Sequence, residues 1–168
     1  MTTLYLVRHG ETVDNVNQIM QGQTQGQLNE NGIRQALQIS EEWREKHLDA
    51  VIASDLKRAV DTAAIIAKPH GLEVVTTPLL RERDWGDFTG RYIPELKNEA
   101  WPDNVETLEN LLSRAAEFIA YIKQTFPGKK VLAVGHGIIN KAVQAVYYQK
   151  SMSEIPRMMN IEVRVLEL

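Results

Sequence analysis

The chain contains no cysteine. That excludes disulfide frameworks, thiol catalysis and cysteine-ligated zinc. No apolar run approaches the roughly 20 residues that a membrane-spanning helix needs. The start, Met1-Thr2-Thr3-Leu4-Tyr5, lacks the basic segment and apolar stretch of a signal peptide. The expectation is a cytoplasmic protein with no membrane partner. Excess positive charge is missing too. Nineteen Lys and Arg against 22 Asp and Glu give a net charge of −3 and a pI near 5.8. Such a balance argues against a general nucleic-acid binder. Ten Gly and six Pro are too few for a low-complexity chain. What remains is an ordinary globular composition of 168 residues, 43% hydrophobic and 24% charged. That length suits one domain over residues 1–168, burying about 70% of its unfolded surface.

Thr3 to Val7 is a short β-prone apolar run that stops at Arg8. Asn15 to Asn29 has five Gln, two Gly and no period, and reads as a long loop. Asn29 is a good N-cap for a helix whose stripe is Ile33, Ala36, Leu37 and Trp43. Asp49 to Ala53 is a second strand. Asp55 then caps a helix with Leu56, Ala59, Val60, Ala63, Ile66 and Ala67 inward, ended by Pro69 and Gly71. Leu72 to Thr76 is a third strand, and Thr77 to Trp101 is irregular. A long helix follows, with Val105, Leu108, Leu112, Ala115, Ile119, Ile122 and Phe126 as its stripe and Asp103 with Glu106 as a capping box. Val131 to Val134 is a fourth strand, Ile138 to Tyr148 a helix, and Asn160 to Leu168 a final strand. The alternation predicts an α/β three-layer sandwich, with a mostly parallel sheet flanked by helices.

Ligands on such sheets bind beyond the carboxyl ends of strands. Two strand ends carry a histidine beside glycine: Arg8-His9-Gly10 and Gly135-His136-Gly137. A neutral imidazole serves as nucleophile or proton carrier near neutral pH. Arg8 projects from the first strand end, and Arg58 lies one turn into the second helix. Guanidinium groups suit phosphate because their donors form a planar fork. A histidine alone is more often structural, and an arginine alone more often a solvated charge. Four such residues at neighbouring positions of one fold weigh against that. Gly135-His136-Gly137 is a poor dinucleotide fingerprint, because Asn140 stands at the third glycine position. No Walker-type Gly-Lys-Thr exists, and His47 and His70 have no supporting ligand cluster for a metal.

Leu6-Val7-Arg8-His9-Gly10-Glu11-Thr12 resembles the signature of the histidine phosphatase superfamily, the phosphoglycerate mutase-like proteins. Further segments are similar in family order: Leu28 to Ala36, Ser54 to Ala63, Leu80-Arg81-Glu82 with Trp85-Gly86, and Val134 to Gly137. The resemblance spans residues 3 to about 145. It implies a metal-independent phosphatase that hydrolyses phosphomonoesters through a phosphohistidine. His9 is then the nucleophile, oriented by a backbone carbonyl at Gly10. Arg8, Arg58, His136, Asn15 and Gly137 bind the phosphoryl oxygens. Glu82 protonates the leaving oxygen, with Glu11 and Asp84 as lesser rivals. Gln21, Gly22, Arg83 and Arg91 are candidate substrate contacts. No metal or organic cofactor is implied, and the partner is a small phosphorylated substrate.

The chain also departs from the family pattern. Gln23 to Gln27 hold no acidic residue where many members have one, and Thr89 stands where glutamate is common. The family's mutases carry a longer basic insertion after the Glu82 segment. Here Arg91 to Val105 holds Arg91 and Lys97 against Glu95, Glu99 and Asp103. A phosphatase is therefore favoured over a phosphoglycerate-type mutase. A phospholigand-binding domain without turnover is the alternative of another class. Trp85, Phe88, Tyr92, Ile93 and Trp101 read either as packing under a loop or as an apolar wall beside the site. Tyr147-Tyr148 and Met158-Met159 read either as core or as the surface of a homodimer.

Overall fold

The computed structural model describes residues 1–168. Five strands form one sheet: β1 (Thr3–Arg8), β2 (Ala50–Ser54), β3 (Val74–Thr77), β4 (Lys130–Gly135) and β5 (Val163–Glu167), in the order β3-β2-β4-β1-β5. All neighbours run parallel except β5, which pairs antiparallel with β1 at the edge. Five α-helices accompany them: α1 (Val13–Asn17), α2 (Glu30–Glu42), α3 (Lys57–Ala67), α4 (Leu108–Thr125) and α5 (Gly137–Tyr148).

The central strands are apolar at successive positions because both faces are covered. Leu4, Leu6, Ile52, Val131 and Ala133 face one core with Leu111, Phe118 and Ile122 of α4 and Ile139 and Val143 of α5. Val7, Val51, Ala53, Leu132 and Val134 face the other, with Ile39, Ala59, Ala63 and Ile66 of α2 and α3. The α/β three-layer sandwich expected from the sequence is the architecture.

Several local expectations are corrected. The segment expected as a long loop from Asn15 starts inside α1, which is capped by Thr12, whose side chain and that of Asn15 satisfy each other's backbone N–H. Asp55 does not cap α3, because its carboxylate is held by a two-pronged bond to Arg81 at 2.7 Å. Gln25 reaches the start of α3 instead, taking the Lys57 N–H on its side chain and the Arg58 N–H on its carbonyl. The cap of α4 is Thr107, and Glu106 is turned to Arg114. The buried face of α4 is Leu111, Ala115, Phe118 and Ile122, while Leu108 is exposed. On α2, Ile33 and Leu37 are exposed, and Gly32, Ala36, Ile39 and Ser40 face inward. The last strand starts only at Val163, because Ile161 has a left-handed backbone, φ 67°. Of the two methionines left open, Met158 is core and Met159 is exposed.

Candidate active site

The parallel register of β1 and β4 sets Arg8 opposite Gly135. The next residue on each strand is a histidine, so His9 and His136 come side by side with ring centroids 5.1 Å apart. The His9 N–H donates to the Gly135 carbonyl. The His9 ring is fixed by its own neighbour: Nδ1 lies 2.7 Å from the Gly10 carbonyl oxygen. A carbonyl only accepts, so Nδ1 carries the proton and Nε2 keeps a free lone pair. Gly10 is held in turn, its N–H donating to Thr62 Oγ1. Burial, with the Arg58 guanidinium beside it, pushes the His9 pKa down to about 3. The ring is neutral near pH 7. His136 is wholly buried and likewise held well below the ordinary histidine value, first by burial and then by Arg58. Its Nε2 lies 2.8 Å from Ser54 Oγ, and its Nδ1 is buried without a partner.

Two arginines flank the histidines. Arg8 donates one N–H to the Met158 carbonyl, and its Nε is buried and unpartnered. Arg58 is 1% exposed and wrapped by the preceding loop, donating to the carbonyls of Gly22, Thr24 and Gln25. Its Nε too is buried with no partner. Burial lowers both guanidinium pKa values, that of Arg58 to about 10, which leaves both charged at neutral pH. Unpartnered charged donors in the interior are expensive unless an anion completes them.

Glu82 comes from the irregular segment after β3. One carboxylate oxygen accepts from the Arg83 and Ile139 N–H groups at 2.8 and 2.9 Å, and the other from the Ile138 N–H at 3.1 Å. The carboxylate thus sits on the first turn of α5, the anion-favouring end of a helix. Gly137 lies between it and Arg8: a Cβ there would stand 3.5 Å from Arg8 Nε and 4.0 Å from a Glu82 oxygen. Arg114 positions the segment, donating to the carbonyls of Leu79, Arg81 and Glu82 while paired with Glu106. Arg8, His9, Arg58, Glu82 and Gly137 all line one cleft of about 560 Å³.

A family model described as the histidine phosphatase superfamily (branch 1) matches residues 4–168. The chain belongs to the histidine phosphatase superfamily. It is 42% identical over 141 residues to an uncharacterized phosphatase, PhoE, of Bacillus subtilis (strain 168), covering 82% of this chain and 72% of that protein. It is 35% identical over 185 residues to a metal-independent phosphoserine phosphatase of Arabidopsis thaliana, covering 100% of this chain and 77% of that protein. Other relatives are named probable phosphoglycerate mutases. The solved structure of Bacillus stearothermophilus YhfR superposes with a TM-score of 0.92 at 29% identity, covering 100% of this chain and 92% of that one.

Within this histidine phosphatase fold, Asn15, Gln21 and Gly22 also line the cleft. Asn15 Oδ1 is occupied by the Thr12 N–H and by Asn160, which leaves its amide N–H₂ as the available group. Gln21 accepts from the Thr12 hydroxyl, and the Gly22 carbonyl accepts from Arg58. Arg83 and Arg91 are not brought to the cleft. Arg83 packs over the rings of Trp85 and Trp101 and donates to the Glu106 carbonyl. Arg91 is paired with Glu99 at 2.6 Å on the surface. Glu11 is also away from it, accepting from Asn29 and Asn31. The aromatic segment divides: Phe88 is core with Leu96 and Val105, whereas Trp85 and Ile93 form cleft wall.

Sequence reasoning missed Asp14, Lys141 and Arg157 in the cleft lining. It also missed Asn160, which donates to the His9 carbonyl at 2.9 Å. Lys141 was open to detection, since it lies one turn beyond Gly137 on the same helix face. Arg157 and Asn160 have no local signal.

Proposed function

We propose that this chain is a phosphatase that hydrolyses phosphomonoesters through a phosphohistidine at His9, without a metal. One observation carries the reading: the Nδ1 contact to the Gly10 carbonyl, which leaves Nε2 as a bare nucleophile in a cleft bearing Arg8 and Arg58. The unpartnered Nε atoms of both arginines are the donors for phosphoryl oxygens in this reading, joined by Nδ1 of the wholly buried His136 when Ser54 donates to its Nε2. In this scheme the Nε2 lone pair forms a bond to phosphorus as the bond to the leaving oxygen breaks. Glu82 gives that oxygen its proton. The carboxylate so formed takes a proton from water, and the hydroxide attacks phosphorus. The P–N bond then breaks, phosphate leaves, and Glu82 again holds a proton. Fixed positive charge around the transferring group is the main contribution to such a transfer.

Hydrolysis is preferred to a mutase reaction because Arg91 is tied to Glu99, so the segment after Gly90 brings this cation to its own acid and not to the cleft. No group of three or more His, Cys, Asp or Glu side chains is placed to hold a metal. The test is phosphate release from a panel of phosphomonoesters in EDTA, with His9→Ala as the blank, and acid-labile, base-stable labelling of the protein by a ³²P-ester. Release that depends on His9 and ignores EDTA is expected. Activity abolished by EDTA and restored by a divalent cation, or retained in His9→Ala, overturns the reading.

A further inference from the structure

We propose that Asn160 is a positioning residue of the cleft: anchored on the His9 carbonyl, its amide turns the amide N–H₂ of Asn15 toward the transferring phosphoryl group. The proposal rests on the phosphatase reading only for where that group sits.

The backbone around Asn160 is bent to bring it there. β5 begins at Val163, opposite Val7. Just before it, the Ile161 N–H donates to the Arg8 carbonyl at 2.8 Å, and the Arg8 N–H donates to the Glu162 carbonyl at 3.3 Å. Two residues thus oppose one, which makes a β-bulge. The Glu162 N–H closes a turn on the Met159 carbonyl, with Asn160 and Ile161 at the two central positions. Ile161 has φ 67°. A turn with left-handed backbone at its second central position favours glycine or asparagine there, because a branched side chain is strained. The chain carries its asparagine one place too early to relieve that strain.

The plain alternative is that Asn160 merely forms the turn. A turn-forming asparagine bonds to its own backbone two residues on. Asn160 makes no such bond. Its Nδ2 donates to the His9 carbonyl at 2.9 Å and to Asn15 Oδ1 at 3.3 Å, 151 and 145 positions away. The two hydrogens of one amide nitrogen match these two acceptors. The order Asn-Ile leaves the strain at residue 161 and sets the amide on His9. Strain held by its surroundings in this way is a pointer to function.

The consequence falls on Asn15. Its Oδ1 accepts from Asn160 and from the Thr12 N–H at 3.1 Å. Both partners are donors, so the oxygen of the amide faces them, and its N–H₂ is left for the cleft that Asn15 lines. With the Asn160 donor removed, the Thr12 bond alone holds that orientation. His9 is the fixed point, since its own N–H is tied to the Gly135 carbonyl. A donor fixed before the charge arrives has no reorganisation to undergo.

The test is a double-mutant cycle read by calorimetry with orthovanadate, a phosphoryl mimic. Kd is measured for wild type, Asn15→Ala, and Asn160→Ala with and without Asn15→Ala. Asn160→Ser is run through the same cycle, because serine suits a turn and guards against a variant that fails to fold. Either change at Asn160 is expected to weaken vanadate binding about tenfold where Asn15 is present, and less than about twofold where it is alanine. A general loosening of the fold weakens binding by one factor in both backgrounds. That result, or no weakening where Asn15 is present, overturns the proposal. So does a wild type that binds no vanadate. Phosphate release from p-nitrophenyl phosphate, with His9→Ala as the blank, is scored apart. Coupled binding without His9-dependent release keeps the positioning role and rejects the phosphatase. Release without coupling does the reverse.

Discussion

Gly10 and Gly32 meet backbone to backbone. A Cβ on Gly10 would lie 2.7 Å from the Gly32 carbonyl oxygen, and one on Gly32 would lie 2.0 Å from the Glu11 carbonyl oxygen. The first turn of α2 is thereby pressed against the residues that follow His9. Gly32 is not at a positive φ, so the demand for glycine here is one of space.

Gly32→Ala reverses a propensity argument. Alanine in a helix is better than glycine by about 1 kcal/mol. The clash with Glu11 costs more, about 3 kcal/mol on the scale of overpacked cores. The expected net fall in Tm is roughly 4–8 °C for a chain of this size, with lower activity because the Gly10 carbonyl moves from His9. A thermal melt showing stabilisation would refute the contact.

Glu82→Gln tests the acid role proposed for Glu82, since it keeps the shape and cannot donate the proton. The expected loss in kcat is about 10²–10⁴-fold on alkyl phosphates. With p-nitrophenyl phosphate, whose leaving group needs little protonation, loss of the first step is much smaller. Equal losses on both esters in single-turnover rates would remove Glu82 from the acid role.

Arg114→Met strips the partner from Glu106, whose side chain is only 6% exposed. A buried carboxylate that loses its charge partner costs up to about 3–5 kcal/mol, and Glu106 keeps the Asp84 N–H and the Asn110 amide as donors. The expected Tm drop is up to roughly 6–20 °C. The carbonyls of residues 79 and 81 also lose their Arg114 donor, and that of Glu82 keeps only Gln23, so kcat falls even at temperatures where the variant is folded. Full activity in a folded variant would show that Glu82 is positioned by other contacts.

Stability should fall as pH is lowered from 6.5. In the unfolded chain His9 and His136 take protons below their ordinary value of 6.5. In the folded protein His9 stays neutral down to about 3, and His136 is held well below 6.5 as well. The unfolded state therefore binds more protons throughout that window, and each histidine removes up to about 1.4 kcal/mol per pH unit. Above pH 6.5 neither contributes. Denaturant melts of wild type and His9→Asn between pH 7 and 4 check this, the variant losing about one proton from the slope.

The sequence made the chemistry visible where it is local. Arg8, His9, His136 and Gly137 announce themselves by standing at strand ends. The topology that joins them is not local, since nothing in residues 3–8 says that β4 rather than β2 is the neighbour. The face of α4 was legible only as a choice. Leu108, Leu111 and Leu112, and Phe118 beside Ile119, allow two stripes one residue apart. The buried ion pair of Arg114 with Glu106 lies with the stripe that carries Leu111 and Phe118. Asn160 and Arg114 act on backbone carbonyls far away in the chain, and such partners leave no pattern of spacing.

The carbonyl of His9 is held by Asn160, and the Arg8 guanidinium by the carbonyl of Met158. Residue 160 lies 151 positions after His9. At ribosomal speeds of about 5–20 residues per second, roughly 8–30 s pass between making one and making the other. β1 also lacks its antiparallel neighbour β5 during that time. His9 is made long before the residues that secure it. His9 and Arg8 are therefore held only once residues 158–160 have been made, and a chain stopped before Met158 carries His9 without these contacts.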